Sequence, residues 1–246
     1  MMKRLDCDVV VLCGGLGTRL RSMLNDRPKP MILVGDRPFL DILVDYLVGQ
    51  GCRRIIFCAG FKSEWISSHV IQDARFESVC SVESRPLGTA GALKRCRTSI
   101  RTSTVLVCNG DSVCNLDLGR LLDEHRHSGC AATMALVPSD GRTDGGGVSL
   151  DANGRLVSFS EKGRPHPYLN AGIYAFETAV LDTVPSQSPC SLEQDVFPYL
   201  VPHGIHGYVT DGTVDDIGTP ERLTAFRINY EASRKEYTYP IQGGQE

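Results

Sequence analysis

Apolar residues take two arrangements along this chain. Short runs rich in Val, Ile and Leu occupy positions 7–12, 54–59, 104–109 and 131–137, with a more polar one at 79–83. Such runs predict strands buried on both faces. Between them, apolar residues recur at three- and four-residue intervals, most clearly at Phe39, Leu40, Leu43, Val44 and Leu47, which predicts a helix over 39–48. Helices are likewise expected over 62–70, 90–96 and 118–128. Strands alternating with helices imply crossover connections and a mostly parallel sheet covered on both faces.

The second half changes character. Residues 141–147, rich in Gly, Asp, Arg and Thr, read as a loop, and short strands at 148–150 and 156–159 flank the turn Asp151-Ala152-Asn153-Gly154, a strong hairpin signal. An antiparallel element is therefore expected beside the parallel one. Ser191-Leu192-Glu193-Gln194 has the form of a capping box and predicts a helix running toward Tyr199, and a last helix is expected over 220–235. No repeat and no linker divides the sequence. The expectation is one domain over 1–246, in two halves of about 1–115 and 116–236.

Composition narrows the function. A net charge of −3 over 246 residues argues against a nucleic-acid surface, which depends on many Lys and Arg neutralising backbone phosphates. No apolar run approaches the roughly 20 residues that span a bilayer, and residues 1–8 carry charge where a secretion signal would be apolar. A cytoplasmic protein is expected, with neither nucleic acid nor membrane as partner and with homo-oligomerisation left open. The ten cysteines lie scattered in apolar stretches with no CxxC pair, so they read as reduced core thiols. His203 and His206 lack neighbouring Cys or His to complete a metal set.

The chemistry gathers where strands end, because ligands of open α/β sheets sit at the carboxyl ends of the strands. After the first strand comes Gly14-Gly15-Leu16-Gly17-Thr18-Arg19. Absent Cβ atoms let consecutive N–H groups turn toward an anion, and Arg19 adds a fixed positive fork. The loop lacks the Lys of a P-loop, and Leu20 stands where a dinucleotide fingerprint needs its third glycine. A glycine turn holding no ligand is the plain alternative. Against it stands Arg27-Pro28-Lys29-Pro30-Met31, in which two prolines brace one lysine in a pre-set backbone.

Together, GGLGTRL and PKPM resemble the signature of the sugar nucleotidylyltransferase family. Four further stretches follow in that family's order: Pro86-Leu87-Gly88-Thr89-Ala90-Gly91, Asn109-Gly110-Asp111, Glu161-Lys162 and Asp216-Ile217-Gly218-Thr219-Pro220. The resemblance covers nearly the whole chain. It implies a three-layer α/β Rossmann-like fold of the glycosyltransferase-A type with a mixed, mostly parallel sheet, and attack by a sugar 1-phosphate oxygen on the α-phosphorus of a nucleoside triphosphate. Both reactants are anions, so cations must hold them together. By resemblance, Arg19 grips the β- and γ-phosphates, Lys29 sits near the reacting centre and Lys162 holds the sugar phosphate. Gly14, Gly15, Gly17, Thr18, Gly88 and Thr89 fall to the nucleotide; Asn109, Glu161, Asn170 and Gly172 fall to the sugar. Asp111 and Asp216, if brought together, make a hard oxygen site for Mg²⁺.

Glu83, just upstream of the glycine turn, can accept both N1–H and N2–H of guanine, which points to GTP. FxEK at 159–162 and SLExDVFP at 191–198 also resemble the heptose 1-phosphate guanylyltransferase branch, which implies D-glycero-α-D-manno-heptose 1-phosphate as acceptor and a product destined for lipopolysaccharide, capsule or another bacterial surface glycan. Mannose 1-phosphate is the second acceptor, and uridylyl, thymidylyl or cytidylyl transfer are alternatives within the family. Cys13 replaces the Ala usual before the paired glycines, and Thr143-Asp144-Gly145-Gly146-Gly147 stands where many relatives carry Arg-Tyr-Gly. Two readings of another class remain: a nucleotide-sugar sensor without catalysis, and a dinucleotide-dependent oxidoreductase.

Overall fold

A computed structural model of the chain describes residues 4–15, 17–143, 145–161, 165–185 and 189–232. The apolar runs form the strands expected of them. β1 (Asp8–Leu12), β2 (Arg54–Ala59), β3 (Glu77–Val82) and β4 (Thr104–Asn109) lie parallel in the order β3-β2-β1-β4. Beyond β4 the chain turns at Gly110-Asp111 into the short β5 (Ser112–Cys114). The rest of the main sheet comes from β6 (Ala132–Pro138), β7 (Gly147–Leu150), β8 (Leu156–Ser160), β9 (Tyr168–Glu177) and β10 (Ile205–Val209). β9 runs antiparallel to β4 and joins the two halves into one continuous nine-stranded mixed sheet. β11 (Val214–Asp216) pairs antiparallel with β5 beside it.

Strand alternation divides the core into two layers. Val9, Val11, Ile55, Phe57, Leu106 and Cys108 face one side, where α1 (Phe39–Gly49), α2 (Ser63–Val70), α4 (Leu118–Ser128) and α7 (Pro220–Ala232) pack. Val10, Ile56, Cys58, Val105 and Val107 face the other, under α3 (Gly88–Cys96), α5 (Thr178–Thr183) and α6 (Phe197–Leu200). This is the three-layer α/β arrangement expected. All ten cysteines are free thiols, and all but Cys80 are buried. Burial pushes Cys108 and Cys114 up to about 12, so both stay protonated and pack as small hydrophobes. Among the described residues, no helix is long and apolar enough to cross a membrane.

Two local expectations change. The cap at Ser191 forms, its Oγ accepting from the Glu193 and Gln194 N–H groups at 3.2 Å each, but the return bond to the Ser191 N–H comes from Asp195 Oδ2 at 2.7 Å. Gln194 is thereby free to reach Glu161 Oε2 at 3.0 Å. A reach of four residues instead of three matches the wide π turn of Leu192–Val196, which precedes α6. The other is in β9, a strand beyond those the apolar runs predict, whose pairing with β6 slips between Asn170, a sugar candidate, and Tyr174. Gly172, at φ +73°, makes the bulge; a Cβ there would stand 2.9 Å from Asn109 Nδ2.

Candidate active site

A cleft of about 440 Å³ opens at the carboxyl ends of the parallel strands. Its floor follows from backbone bonds between strand ends. The Cys13 N–H donates to the Cys58 carbonyl at 2.8 Å and the Gly110 N–H to the Leu12 carbonyl at 3.0 Å. These hold the loop after β1 against the ends of β2 and β4. Gly14 and Gly60 must be bare because the Glu83 carboxylate lies across them: a Cβ at Gly14 would be 2.9 Å from Glu83 Oε1, and one at Gly60 closer still. Glu83 Oε2 accepts from the Leu87 N–H at 3.2 Å. Burial raises the Glu83 carboxyl above its ordinary value, opposed by the Leu87 bond and by Arg95.

Lys29 enters from a 3₁₀ turn, Lys29–Met31, flanked by the extended Pro28. The turn is buried, Lys29 included, and the ammonium reaches Asp111 Oδ2 at 2.5 Å. A charge held that deep needs a partner, and Asp111 supplies it at the rim of the cleft. The two prolines therefore brace a lysine aimed into the site.

Of the residues singled out in the sequence, Gly14, Gly15, Lys29, Glu83, Gly88, Thr89, Asn109, Asp111 and Glu161 line this cleft. Others stand elsewhere. Gly17, at φ +59°, starts a 3₁₀ turn over Thr18–Leu20 that buries Leu20 and leaves Thr18 and Arg19 exposed. Arg19 is outside the lining, and Thr18 faces a separate hollow beside Arg27 and Phe61. Asn170 spends its amide within the bulge, donating to the Tyr174 hydroxyl at 2.8 Å and accepting from the Gly172 N–H at 2.9 Å. Lys162 and Asp144 lie outside the described residues.

Asp216 is placed next to Asp111 by the β5–β11 pairing: Asp216 faces Ser112, and the Ile217 N–H donates to the Asp111 carbonyl at 3.0 Å. The Asp216 carboxylate is held by Arg222, with bonds of 2.8 and 3.1 Å, and by the Gly218 N–H at 2.8 Å. Each proposed metal ligand thus has a cation against it, Lys29 for Asp111 and Arg222 for Asp216. No group of three or more His, Cys, Asp or Glu forms a metal cluster among the described residues. Two carboxylates on adjacent backbones still suit Mg²⁺, which keeps waters and phosphate oxygens as its other ligands. The charge of the cleft favours the same ion. Glu83, Asp111, Glu161 and Glu193 line it with Lys29 as the one cation among its described residues, so a polyphosphate entering it needs additional positive charge.

Glu193 is the cleft residue that sequence reasoning missed. It arrives from the π turn, and its Oε2 accepts from Thr89 Oγ1 at 3.0 Å and from Ser191 Oγ at 2.8 Å. The only sequence signal was the Ser191 to Pro198 stretch, whose cap explains Glu193 as a first-turn acid without reference to a ligand.

The chain matches the Nucleotidyl transferase family over residues 8–233. It is 29% identical to the D-glycero-alpha-D-manno-heptose 1-phosphate guanylyltransferase of Aneurinibacillus thermoaerophilus, over 95% of this chain and 100% of that one. It is 35% identical to the mannose-1-phosphate guanylyltransferase of Mycobacterium tuberculosis over 87% of this chain, and spans 62% of that relative's length. The crystal structure of HddC from Yersinia pseudotuberculosis complexed with GMP-PN superposes with a TM-score of 0.81 at 33% identity, covering 91% of this chain and 99% of that one. The glycine loop and braced lysine at the ends of the parallel strands agree with this match over nearly the whole length, and the chain is a member of the nucleotidyl transferase family.

Proposed function

We propose that the chain transfers GMP from GTP to a sugar 1-phosphate, releasing pyrophosphate and forming a GDP-sugar, with D-glycero-α-D-manno-heptose 1-phosphate as first acceptor and mannose 1-phosphate as second. The observation that carries this reading is that one cleft gathers glycines, the Lys29–Asp111 pair and three glutamates at the ends of the parallel strands. Of its lining residues, we assign Gly14, Gly15, Glu83 and Gly88 to a nucleotide wall and Asn109, Glu161 and Glu193 to an acceptor wall. The names of relatives from two guanylyltransferase activities and a GMP-PN complex support the base. The cytoplasm, which holds GTP, is the compartment assigned.

In the reaction, an oxygen of the sugar phosphate forms a bond to the α-phosphorus while the bond from that phosphorus to the β-phosphate bridge breaks; no proton need move. The work is positioning and charge compensation. The bare backbone of Gly14 and Gly15 admits the phosphate chain, and the Lys29 ammonium offsets charge on the reacting phosphate. Lys162 is assigned to the acceptor phosphate and Arg19 to the outer phosphates, the latter by movement of its exposed turn. Asp111 and Asp216 would hold Mg²⁺, which when bound offsets phosphate charge and polarises the α-phosphorus. Glu161 and Glu193 accept from sugar hydroxyls.

Base choice gives a prediction. Glu83→Gln keeps the shape but replaces one acceptor oxygen by a donor facing the guanine hydrogens. Its kcat/KM for GTP should fall about 10- to 100-fold, in keeping with about 1–3 kcal/mol for a bidentate base contact, with smaller change for other nucleotides. Because the carboxylate is the acceptor and burial raises its pKa, GTP binding should weaken with falling pH earlier than an ordinary glutamate would allow. Isothermal titration of GTP against pH should show that limb in the parent protein and not in E83Q.

The reading as a whole is tested by steady-state kinetics with GTP, UTP, dTTP and CTP against both sugar phosphates. GTP with one of the two acceptors should give the highest kcat/KM. A higher value for UTP or dTTP would remove the role given to Glu83.

A further inference from the structure

We propose that the Thr89 hydroxyl is a positioning residue for the acceptor wall, orienting Glu193, and that it does not itself read the nucleotide. The inference rests on the assignment of Glu193 to the acceptor. Thr89 stands in the first turn of α3, in the sequence stretch given to the nucleotide, yet its hydroxyl is committed across the cleft. The single hydroxyl proton goes to Glu193 Oε2 at 3.0 Å, and the oxygen accepts from the Leu192 N–H at 2.8 Å. A hydroxyl has one proton to give, so none remains for a base or ribose.

The surrounding bonds show that the contact is built. The Cys190 N–H donates to the Leu87 carbonyl at 2.8 Å, and the Cys190 carbonyl accepts from the Ala90 and Gly91 N–H groups at 3.0 and 3.2 Å. These clamp the start of α3 to the segment carrying Glu193, although the two lie about a hundred residues apart in sequence. Ser191 Oγ gives its own proton to the same Glu193 oxygen at 2.8 Å. With Oε2 taken by two protein donors, and no bond to Oε1 among the described residues, Oε1 is the atom left for a sugar hydroxyl in the cleft Glu193 lines.

Loss of one such neutral-to-charged bond blurs the carboxylate's orientation and should weaken acceptor binding about tenfold. The test compares T89V, T89S, T89A and E193Q in steady-state assays with GTP and each of the two sugar 1-phosphates. T89V, isosteric but without a proton to donate, should raise the acceptor KM about tenfold and change the GTP KM less than twofold. T89S should restore the parent value. The T89V/E193Q double variant should be no worse than E193Q alone, because both remove one coupled unit. T89A serves if T89V does not fold, and circular dichroism melting checks each variant. A rise in the GTP KM with an unchanged acceptor KM would overturn the proposal, as would an unchanged acceptor KM in T89V and T89A alongside a raised one in E193Q. An acceptor KM unmoved by E193Q would instead defeat the underlying placement of Glu193.

Discussion

Lys29→Met should lower kcat on the order of a thousandfold while leaving the protein folded. The ammonium is buried, lies 2.5 Å from Asp111 Oδ2, and is the one cation among the described residues lining the cleft, which in the proposed reaction holds two phosphate-bearing anions. Removing a single preorganised charge-stabilising group from a reacting centre typically costs about 10² to 10³ in kcat. Methionine keeps most of the volume, so packing against Pro28 and Pro30 is retained. Asp111 loses its partner, but its side chain is 39% exposed and water can solvate it, so the melting temperature should change little. Lys29→Arg keeps the charge in a wider planar head and should fall between the two. A rate drop under tenfold in K29M, with the fold intact, would remove Lys29 from the chemistry.

The largest loss of stability is expected from Gly88→Ala. Gly88 sits at φ +76°, and a Cβ would come within 2.8 Å of the Cys190 carbonyl carbon and nearer to its oxygen. Neither neighbour is a flexible side chain that can step aside. The clamp between the start of α3 and the Glu193 segment must open, or the turn must strain. A cost above about 3 kcal/mol is expected from the backbone and the clash together, readable as a shift of the urea midpoint and a fall in melting temperature of roughly 6–12 °C for a chain of this size. The same substitution at Gly15, where nothing lies within 4 Å, should cost far less stability. Equal effects at the two positions would contradict the account of the clamp.

Much of the cleft lining could be read directly from the chain, because its signals are local. A glycine loop after a strand, a lysine between two prolines and an acid before a glycine turn each follow from neighbouring residues. That the Glu83 carboxylate lies across Gly14 and Gly60 is a tertiary contact between strand ends, with no local signal. The Glu193 side of the cleft is harder to read. Glu193 reaches the cleft only because a π turn and a cap closed by Asp195 rotate it there, and a capping box read at face value uses Gln194 instead. Asn170 shows the opposite failure: a free amide in the sequence becomes a core partner of Tyr174 once Gly172 bulges the strand. β10, with sequence IHGYV, broke its apolar run at Gly207, whose missing Cβ makes room for Leu136 and Leu150. β5 and β11 are three residues each, too short for a period, yet they set Asp216 beside Asp111.

In the proposed reaction, one cleft brings GTP and a sugar 1-phosphate together for direct transfer. The most direct measurement mixes the protein with GTP, Mg²⁺ and D-glycero-α-D-manno-heptose 1-phosphate or mannose 1-phosphate, and follows pyrophosphate while identifying the product by mass. Pyrophosphate and GDP-sugar should form in equal amounts, and neither without the sugar phosphate. Pyrophosphate released without acceptor, or no turnover with either sugar, would contradict direct transfer.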